Sequence, residues 1–419
     1  MSEPILIAGA GIGGLSAALA LARRGIPSRI VERASEIREI GAGLQLGPNG
    51  FRAFERLGVA GAMDAISFKP DAIRLIDSVE NVELSRQTLG APFEARFHHP
   101  YRVGYRADVQ LVLLEAVQAC WDLVTIELGD GVSRIAERGD HVEIVFDSGR
   151  SLSAPLLIGA DGIWSQVRSH LLGPEPPRPS GHIAYRAVLP IAEVPDALLT
   201  DDVQVWIGPG HHLVCYKLRG GALFNIIAIV HSDREVQGWD TLGDKAELQR
   251  GFADACPLVR QLVGQIEHGR MWALCDRDPM QGWSKGRITL LGDAAHPMLP
   301  YLAQGACMAI EDAVTLADEI AATPGDPVQA LARYEEARFA RTASVQKAAR
   351  ETGVINHATG EARERRNAFL ASRRADDYDS VAWLFGGTGA RAESASGAEI
   401  GIFGRHAAPV EAAANAASD

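Results

Sequence analysis

The chain has 419 residues, 47% of them hydrophobic, enough for a sizeable core shared by two or three closely joined units. Its 53 Asp and Glu against 41 Lys and Arg give a formal charge of −12, which argues against nucleic acid and anionic membranes as partners; an anionic ligand needs a local positive field here. The five cysteines, Cys120, Cys215, Cys256, Cys275 and Cys307, are odd in number and lack any CxxC or Cys/His ligand spacing, so a reducing cytoplasm and no metal centre are expected.

The start, Met1-Ser2-Glu3-Pro4, runs into a strand pattern without the features of a secretory leader, and no apolar run approaches the roughly 20 residues of a membrane span. Residues 5–8 read as a buried strand, 15–24 as an alanine-rich helix stopped at Gly25, and 28–32 as a second strand, the opening unit of a parallel sheet. Between strand and helix stand Gly9, Gly11 and Gly14 in GxGxxG spacing, with Glu32 ending the second strand. The glycines permit a tight turn and close approach of a pyrophosphate, and the helix start supplies amide donors. Glu32 can accept hydrogen bonds from a ribose and argues against a 2′-phosphate there; its neighbour Arg33 is placed in the same cofactor-binding set.

Further along, Gly41-Ala42-Gly43-Leu44-Gln45-Leu46 has no large side chain at 41–43, and Tyr105-Arg106-Ala107-Asp108 opens a helix. Residues 155–160 look like another buried strand, followed by Asp161 and Gly162. From 183 to 277 the pattern changes to alternating β-rich stretches, a mostly antiparallel sheet. Within it, strand alternation sets His212, Val214 and Tyr216 on one face and His211 on the other. A strand pattern at 288–291 then leads to Gly292-Asp293, and a helix at 303–320 returns the chain to the first architecture. The arginines Arg363, Arg365, Arg366, Arg373 and Arg374 read as a solvated helix face. Residues 386–419, rich in Ala, Gly, Ser and Glu, read as a flexible tail. The expected organisation is α/β: a Rossmann-like nucleotide-binding domain at 1–182, an inserted substrate-binding sheet at 183–277, the rest of the first domain with C-terminal helices at 278–385, and the tail.

Two motifs decide between cofactors by resemblance. Asp161-Gly162-Ile163-Trp164-Ser165-Gln166-Val167-Arg168 resembles the DGxxSxxR motif of flavoprotein hydroxylases, and Gly292-Asp293-Ala294-Ala295-His296-Pro297 resembles their GDAAHP motif. With the fingerprint these span most of the chain and resemble the single-component FAD-dependent aromatic hydroxylases of the p-hydroxybenzoate hydroxylase fold. The resemblance implies FAD as cofactor, NADH or NADPH as electron donor, O2 as co-substrate, and hydroxylation of a small aromatic acid through a C4a-hydroperoxyflavin. It places Asp293 at the FAD ribose, Asp161 and Gly162 near the pyrophosphate and nicotinamide path, and Arg168 in support of the DG turn. It puts Arg106 against the ribityl and phosphate groups, and Ala42 and Gly43 in the segment that lets the flavin ring move. Gly305 and Ala306 lie at a helix start whose amides face the flavin's pyrimidine edge. His296 is taken as structural.

A phenolic ring becomes a better target for oxygenation when its hydroxyl loses a proton, so a base within hydrogen-bond reach is expected. The segment from Gly210-His211-His212 to Tyr216, followed by Lys217-Leu218-Arg219-Gly220-Gly221, is similar to the substrate-side strand of 3-hydroxybenzoate 6-hydroxylases. That similarity implies His212 as base and Tyr216 as its partner or as a hydrogen-bond donor to the substrate. Pro300, however, resembles the salicylate hydroxylases, which leaves the substrate isomer open. A hydroxynicotinate or other heteroaromatic acid as substrate, and a flavin redox sensor without turnover, are the alternative readings. Family analogy implies a monomer or homodimer.

Overall fold

The computed structural model describes residues 3–37, 42–232, 241–266 and 270–386, with two short strands at Ile400–Gly401 and Gly404–Arg405. The proposed tail otherwise lies outside the described residues.

The strand Ile5–Ala8 is buried along its whole length because it runs through the middle of a six-stranded sheet. Ser28–Glu32 and Leu157–Gly159 flank it in parallel, Val124–Leu128 and Ile288–Leu290 extend the parallel order on either side, and the two-residue strand Ser284–Lys285 closes one edge antiparallel. Such a sheet needs cover on both faces, which explains its continuous apolar strands. The helix Ile12–Ala22 is buried on nearly every side, packed between the sheet and the helix Gly305–Ala322. Gly9 makes the turn between them with φ at 105°, and a side chain on it would strike the Ala160 carbonyl.

A second sheet of eight strands runs in the order Thr241–Leu242, Arg270–Asp276, Arg178–Pro190, Leu223–His231, His211–Leu218, Val203–Gly208, Ala72–Asp77, Val82–Thr88. All neighbours are antiparallel except Val203–Gly208 with Ala72–Asp77. The hairpin at 72–88 comes from well before residue 183, and Arg178–Pro190 also begins ahead of it. Apolar Ile73 and Leu75 explain the recruitment, since they continue the cavity-facing surface of the sheet. Alternation is strict on the strand His211–Leu218: Leu213 and Cys215 pack with Phe252, Val259 and Leu262 on one side, while His212, Val214 and Tyr216 face a cavity on the other.

The C-terminal helices Pro327–Asn356 and Gly360–Ala371 close over that second face. The arginine group is not the uniform solvated face read from the sequence. Arg365 and Arg374 are exposed, with 65% and 80% of their side chains accessible, but Arg363 donates to the buried Asp77 carboxylate at 2.7 Å and Arg366 is 7% exposed. Burial alone raises the Asp77 carboxyl; hydrogen bonds from Arg363, Asn367 and the amides of Val79 and Glu80 outweigh it and hold the group at about 2. The helix Gly360–Ala371 is thus ionically tied to the 72–88 hairpin, an attachment that helical spacing cannot reveal. Arg373 reaches the cavity wall.

Candidate active site

The site begins at the loop after Ile5–Ala8, at the carboxyl ends of the parallel strands, where a doubly wound sheet binds ligands. The Ala10 amide donates to Glu32 at 2.8 Å and the Ala34 amide to its other oxygen at 2.9 Å, which fixes the acid beside the glycine turn. Across the sheet, Asp293 stands on the turn Gly292–Ala294 and projects into the cavity. Enclosure by protein raises its carboxyl, and the charges of Arg106 and His296 act against that rise. Gly305 and Ala306, at the start of Gly305–Ala322, face the same space. Arg168, 4% exposed, donates to the carbonyls of Ala294 at 3.0 Å and Ala295 at 2.9 Å, so it joins the two motif turns rather than supporting one.

The cavity encloses about 420 Å³ and is continuous from this turn region to the face of the large sheet. Of the expected cofactor residues, Gly11, Gly43, Arg106, Gly162, Asp293, Gly305 and Ala306 line it. Gly9, Gly14, Glu32, Arg33 and Ala42 stand outside the lining; Ala42 accepts a hydrogen bond from the Arg106 amide at 2.8 Å. Asp161 also stands outside. Its carboxylate accepts from Ser165 Oγ at 2.5 Å and from the amides of Gln166 and Val167 at 2.8 and 3.2 Å, capping the helix Gln166–Leu172. Gly41 lies outside the described residues.

His212 and Tyr216 both reach the cavity, 2% and 1% exposed. Gly43 lies directly over Tyr216, so close that a side chain at 43 would collide with the phenol oxygen, and its amide donates to Asn225 at 2.8 Å. Three guanidinium groups, Arg106, Arg186 and Arg373, line the same cavity, and Arg186 sits 5.2 Å above the Trp272 ring. Arg373 is also paired with Asp377 at 3.6 Å, and the charge of Arg106 acts on Asp293.

The partner that the fold gives His212 is not Tyr216 but His357, just past the end of Pro327–Asn356. His212 Nδ1 and His357 Nε2 are 2.6 Å apart, His357 Nδ1 and His182 Nε2 are 3.1 Å apart, and His182 Nδ1 and the Tyr301 hydroxyl are 2.8 Å apart. Burial drives all three histidines toward the neutral form, His212 to about 3, His182 to about 4, and His357 lowest, with neighbouring histidines adding to the effect. Sequence spacing could not find this chain, because its links join residues 145, 175 and 119 positions apart.

A second network, also invisible in the sequence, lies behind the GD turn. Arg338 donates to Asp312 and Glu311 at 2.6 Å each, Arg341 to Glu311 at 2.7 and 2.8 Å, and Asn49 to Glu311 at 2.7 Å. His296 meets Asp312 at 2.5 Å, and the Gly292 amide donates to the same carboxylate at 3.1 Å, so the turn carrying Asp293 is fixed from beneath. Burial raises both carboxyls but the surrounding cations and hydrogen bonds win, holding Glu311 and Asp312 at about 2. His296 thus has a structural place in this network.

A family model described as FAD binding domain matches residues 2–352. Over 384 residues, 91% of this chain and 96% of the relative, the sequence is 41% identical to the 3-hydroxybenzoate 6-hydroxylase of Polaromonas naphthalenivorans. It is 38% identical over 387 residues, 91% of this chain and 95% of the relative, to 3-amino-4-hydroxybenzoate 2-monooxygenase PtmB3 of Streptomyces platensis. Among solved structures, Klebsiella pneumoniae HpxO complexed with FAD and uric acid is similar with a TM-score of 0.79 and 29% identity, covering 88% of this chain and 93% of that one.

Proposed function

The chain belongs to the FAD binding domain family, and from that premise we propose that it hydroxylates a small phenolic acid of the 3-hydroxybenzoate or salicylate type. It is an FAD-dependent aromatic-ring monooxygenase, with NADH or NADPH as electron donor. The reaction balances as phenolic acid, NAD(P)H, a proton and O2 giving the hydroxylated acid, NAD(P)+ and water. The residues present fit FAD: a carboxylate and an arginine, Asp293 and Arg106, face a cavity that the glycine turn enters at Gly11, where the absence of a side chain leaves open space beside the backbone. We assign Asp293 to the ribose of the flavin half, Glu32 to that of the adenosine half, Arg106 to the ribityl and phosphate groups, and the amides of Gly305 and Ala306 to the flavin ring. Bound and reduced, FAD activates O2 for transfer of one oxygen atom to the ring.

The observation that carries the reading is that His212 and Tyr216 open into the same cavity as Arg106, Asp293, Gly305 and Ala306. His212 Nδ1 is taken by His357, which leaves Nε2 for the substrate hydroxyl. Removing that proton pushes electron density to the ring carbons ortho and para to the oxygen, and for 3-hydroxybenzoate the para carbon is C6. Tyr216, beneath Gly43, would hold the substrate in the cavity. Arg106, Arg186 and Arg373 favour a carboxylate-bearing ring over a neutral phenol. Among the described residues no helix is long and apolar enough to cross a membrane. A cytoplasmic monomer or homodimer is our reading of the rest.

The test is a screen of hydroxybenzoates and hydroxynicotinates for stimulated NADH and NADPH oxidation with product identification. A hydroxybenzoate is expected to stimulate oxidation and to return a dihydroxybenzoate. Stimulation by hydroxynicotinates alone moves the substrate class, and no stimulated oxidation by any aromatic acid overturns the reading.

A further inference from the structure

The register of the large sheet lays out the floor of the cavity. Val214 stands opposite Val205, Val205 opposite Leu75 and Leu75 opposite Ser85; in the next row on the same face Ile73 stands opposite Gln87. All six line the cavity. The floor is therefore apolar from Val214 to Leu75 and turns polar at the edge strand Val82–Thr88, three strand spacings or about 14 Å from the strand that carries His212. His212 lies two residues from Val214 on the same face, so an apolar stretch separates it from the polar edge.

Arg373 is brought to that edge by the backbone. The Thr88 amide donates to the Ala375 carbonyl at 3.0 Å and the Thr88 and Tyr378 hydroxyls are 2.8 Å apart, which fixes the segment after Gly360–Ala371 next to Gln87. The Arg373 guanidinium donates to Ser380 Oγ at 2.6 Å. Burial presses it below its ordinary value and Asp377 acts against that fall; an anion on the cavity side adds to the opposition. The Gln87 amide nitrogen is enclosed and has no hydrogen-bond partner among the described residues, and the broad terminal torsion of glutamine lets it turn to a ligand. The other two arginines of the cavity stand elsewhere. Arg106 acts on Asp293 at the cofactor end, and Arg186 sits over Trp272 on the strand Arg178–Pro190, on the opposite flank of His211–Leu218.

Resting on the reading that His212 meets the substrate hydroxyl, we propose that Arg373 and Gln87, with Ser85, form the subsite for the substrate carboxylate, and that the ring between lies over Val214, Val205 and Leu75. The guanidinium supplies a charge-assisted hydrogen bond, the glutamine amide a second donor, and the apolar floor covers one face of the ring. The subsite selects acids whose hydroxyl and carboxylate project from separated ring carbons. Salicylate carries the two on neighbouring carbons, where they hydrogen-bond to each other, so it engages one end of the floor. 3-Hydroxybenzoate engages both, which decides the isomer that Pro300 left open.

The subsite is tested by titrating the FAD-loaded protein with four probes and taking each dissociation constant from the change in flavin absorbance. Benzoate has the carboxylate without a hydroxyl, resorcinol has hydroxyls without a carboxylate, and 3-hydroxybenzoate and salicylate have both. Wild type is expected to bind 3-hydroxybenzoate more tightly than salicylate. Arg373→Met should weaken benzoate and 3-hydroxybenzoate about 10-fold to 100-fold and Gln87→Leu about 3-fold to 10-fold, the scale of hydrogen bonds to a charged group, with resorcinol held as in wild type. His212→Ala should do the reverse, sparing benzoate and weakening resorcinol. Arg186→Met should weaken benzoate less than Arg373→Met does. Benzoate bound equally by wild type, Arg373→Met and Gln87→Leu, or lost chiefly in Arg186→Met, overturns the subsite and leaves the hydroxylation of a phenolic acid standing. Salicylate bound as tightly as 3-hydroxybenzoate overturns the choice of isomer. The underlying reading falls instead if no aromatic acid stimulates NADH oxidation. Should Arg373→Met lose flavin, Gln87→Leu on the edge strand decides.

Discussion

The molecule holds two polar networks, one fully buried and one partly, and handles charge in them in opposite ways. Around Arg338 the charges are matched: Glu311 and Asp312 face Arg338 and Arg341, with distances of 2.6 to 2.8 Å. Along His212, His357, His182 and Tyr301 the groups are neutral and amphoteric, each able to exchange donor for acceptor. A buried ion pair is held in one arrangement, because displacing either partner strands a charge in a medium of low dielectric constant. A chain of neutral imidazoles can run its hydrogen bonds in either direction without carrying a charge. The first network suits a turn that must hold a cofactor carboxylate still; the second suits chemistry.

If that contrast is right, damage to the two networks should be seen by different instruments. His212→Ala is expected to give the largest effect, a loss of about 10² to 10⁴ in the hydroxylation step with FAD content retained. NADH consumption should continue in part and be diverted to hydrogen peroxide, so product formed per NADH is the quantity to measure. Near-normal coupling with every accepted phenolic acid would remove His212 from the chemistry and with it the contrast.

Arg338→Met should act on stability instead. It takes the arginine partner from Asp312 and one of two from Glu311, which keeps Arg341, and losing one partner of a buried pair costs about 3 to 5 kcal/mol. Denaturant unfolding of the FAD-loaded protein checks this. An unchanged midpoint would mean that the cluster is not the support of the GD turn that its geometry indicates.

The smallest effect sharpens the comparison by pH. Folded His212 and His182 titrate at about 3 and 4, below the ordinary histidine value, and His211 on the opposite sheet face at about 4, so the native state binds fewer protons than the unfolded chain. Their contribution is present above about pH 6.5 and is lost as pH falls from there toward 4, each proton difference contributing up to about 1.4 kcal/mol per pH unit. Glu311 and Asp312, at about 2, keep their contribution until pH falls below about 4.5. Between pH 6.5 and 5 the decline therefore belongs to the histidines. Stability measured at pH 7, 6 and 5 should fall in wild type and less steeply in His357→Leu; parallel slopes would show that His357 is not held neutral in the folded protein.

Much of this site was legible from residue order, and the legible part has one physical character. A glycine turn between a strand and a helix, and a strand that sends alternate side chains to opposite faces, are set by covalent geometry over a few residues. That is why Gly9, Gly11 and Gly14 end at the sheet's carboxyl edge, and why His212 and Tyr216 share a face with His211 on the other. The motif resemblance likewise brought Asp293, Arg106 and Gly43 to one cavity. What order could not determine is which side chains meet once distant segments pack. Arg363 and Arg366 close on Asp77 in a hairpin almost 300 residues earlier, and His357 reaches His212. Such contacts depend on how the 72–88 hairpin and the C-terminal helices close over the large sheet, and neither helical nor strand periodicity records a partner more than 100 residues away. Tertiary packing therefore decided what the sequence left open: which buried polar groups are held as ion pairs, and which are pressed toward the neutral form.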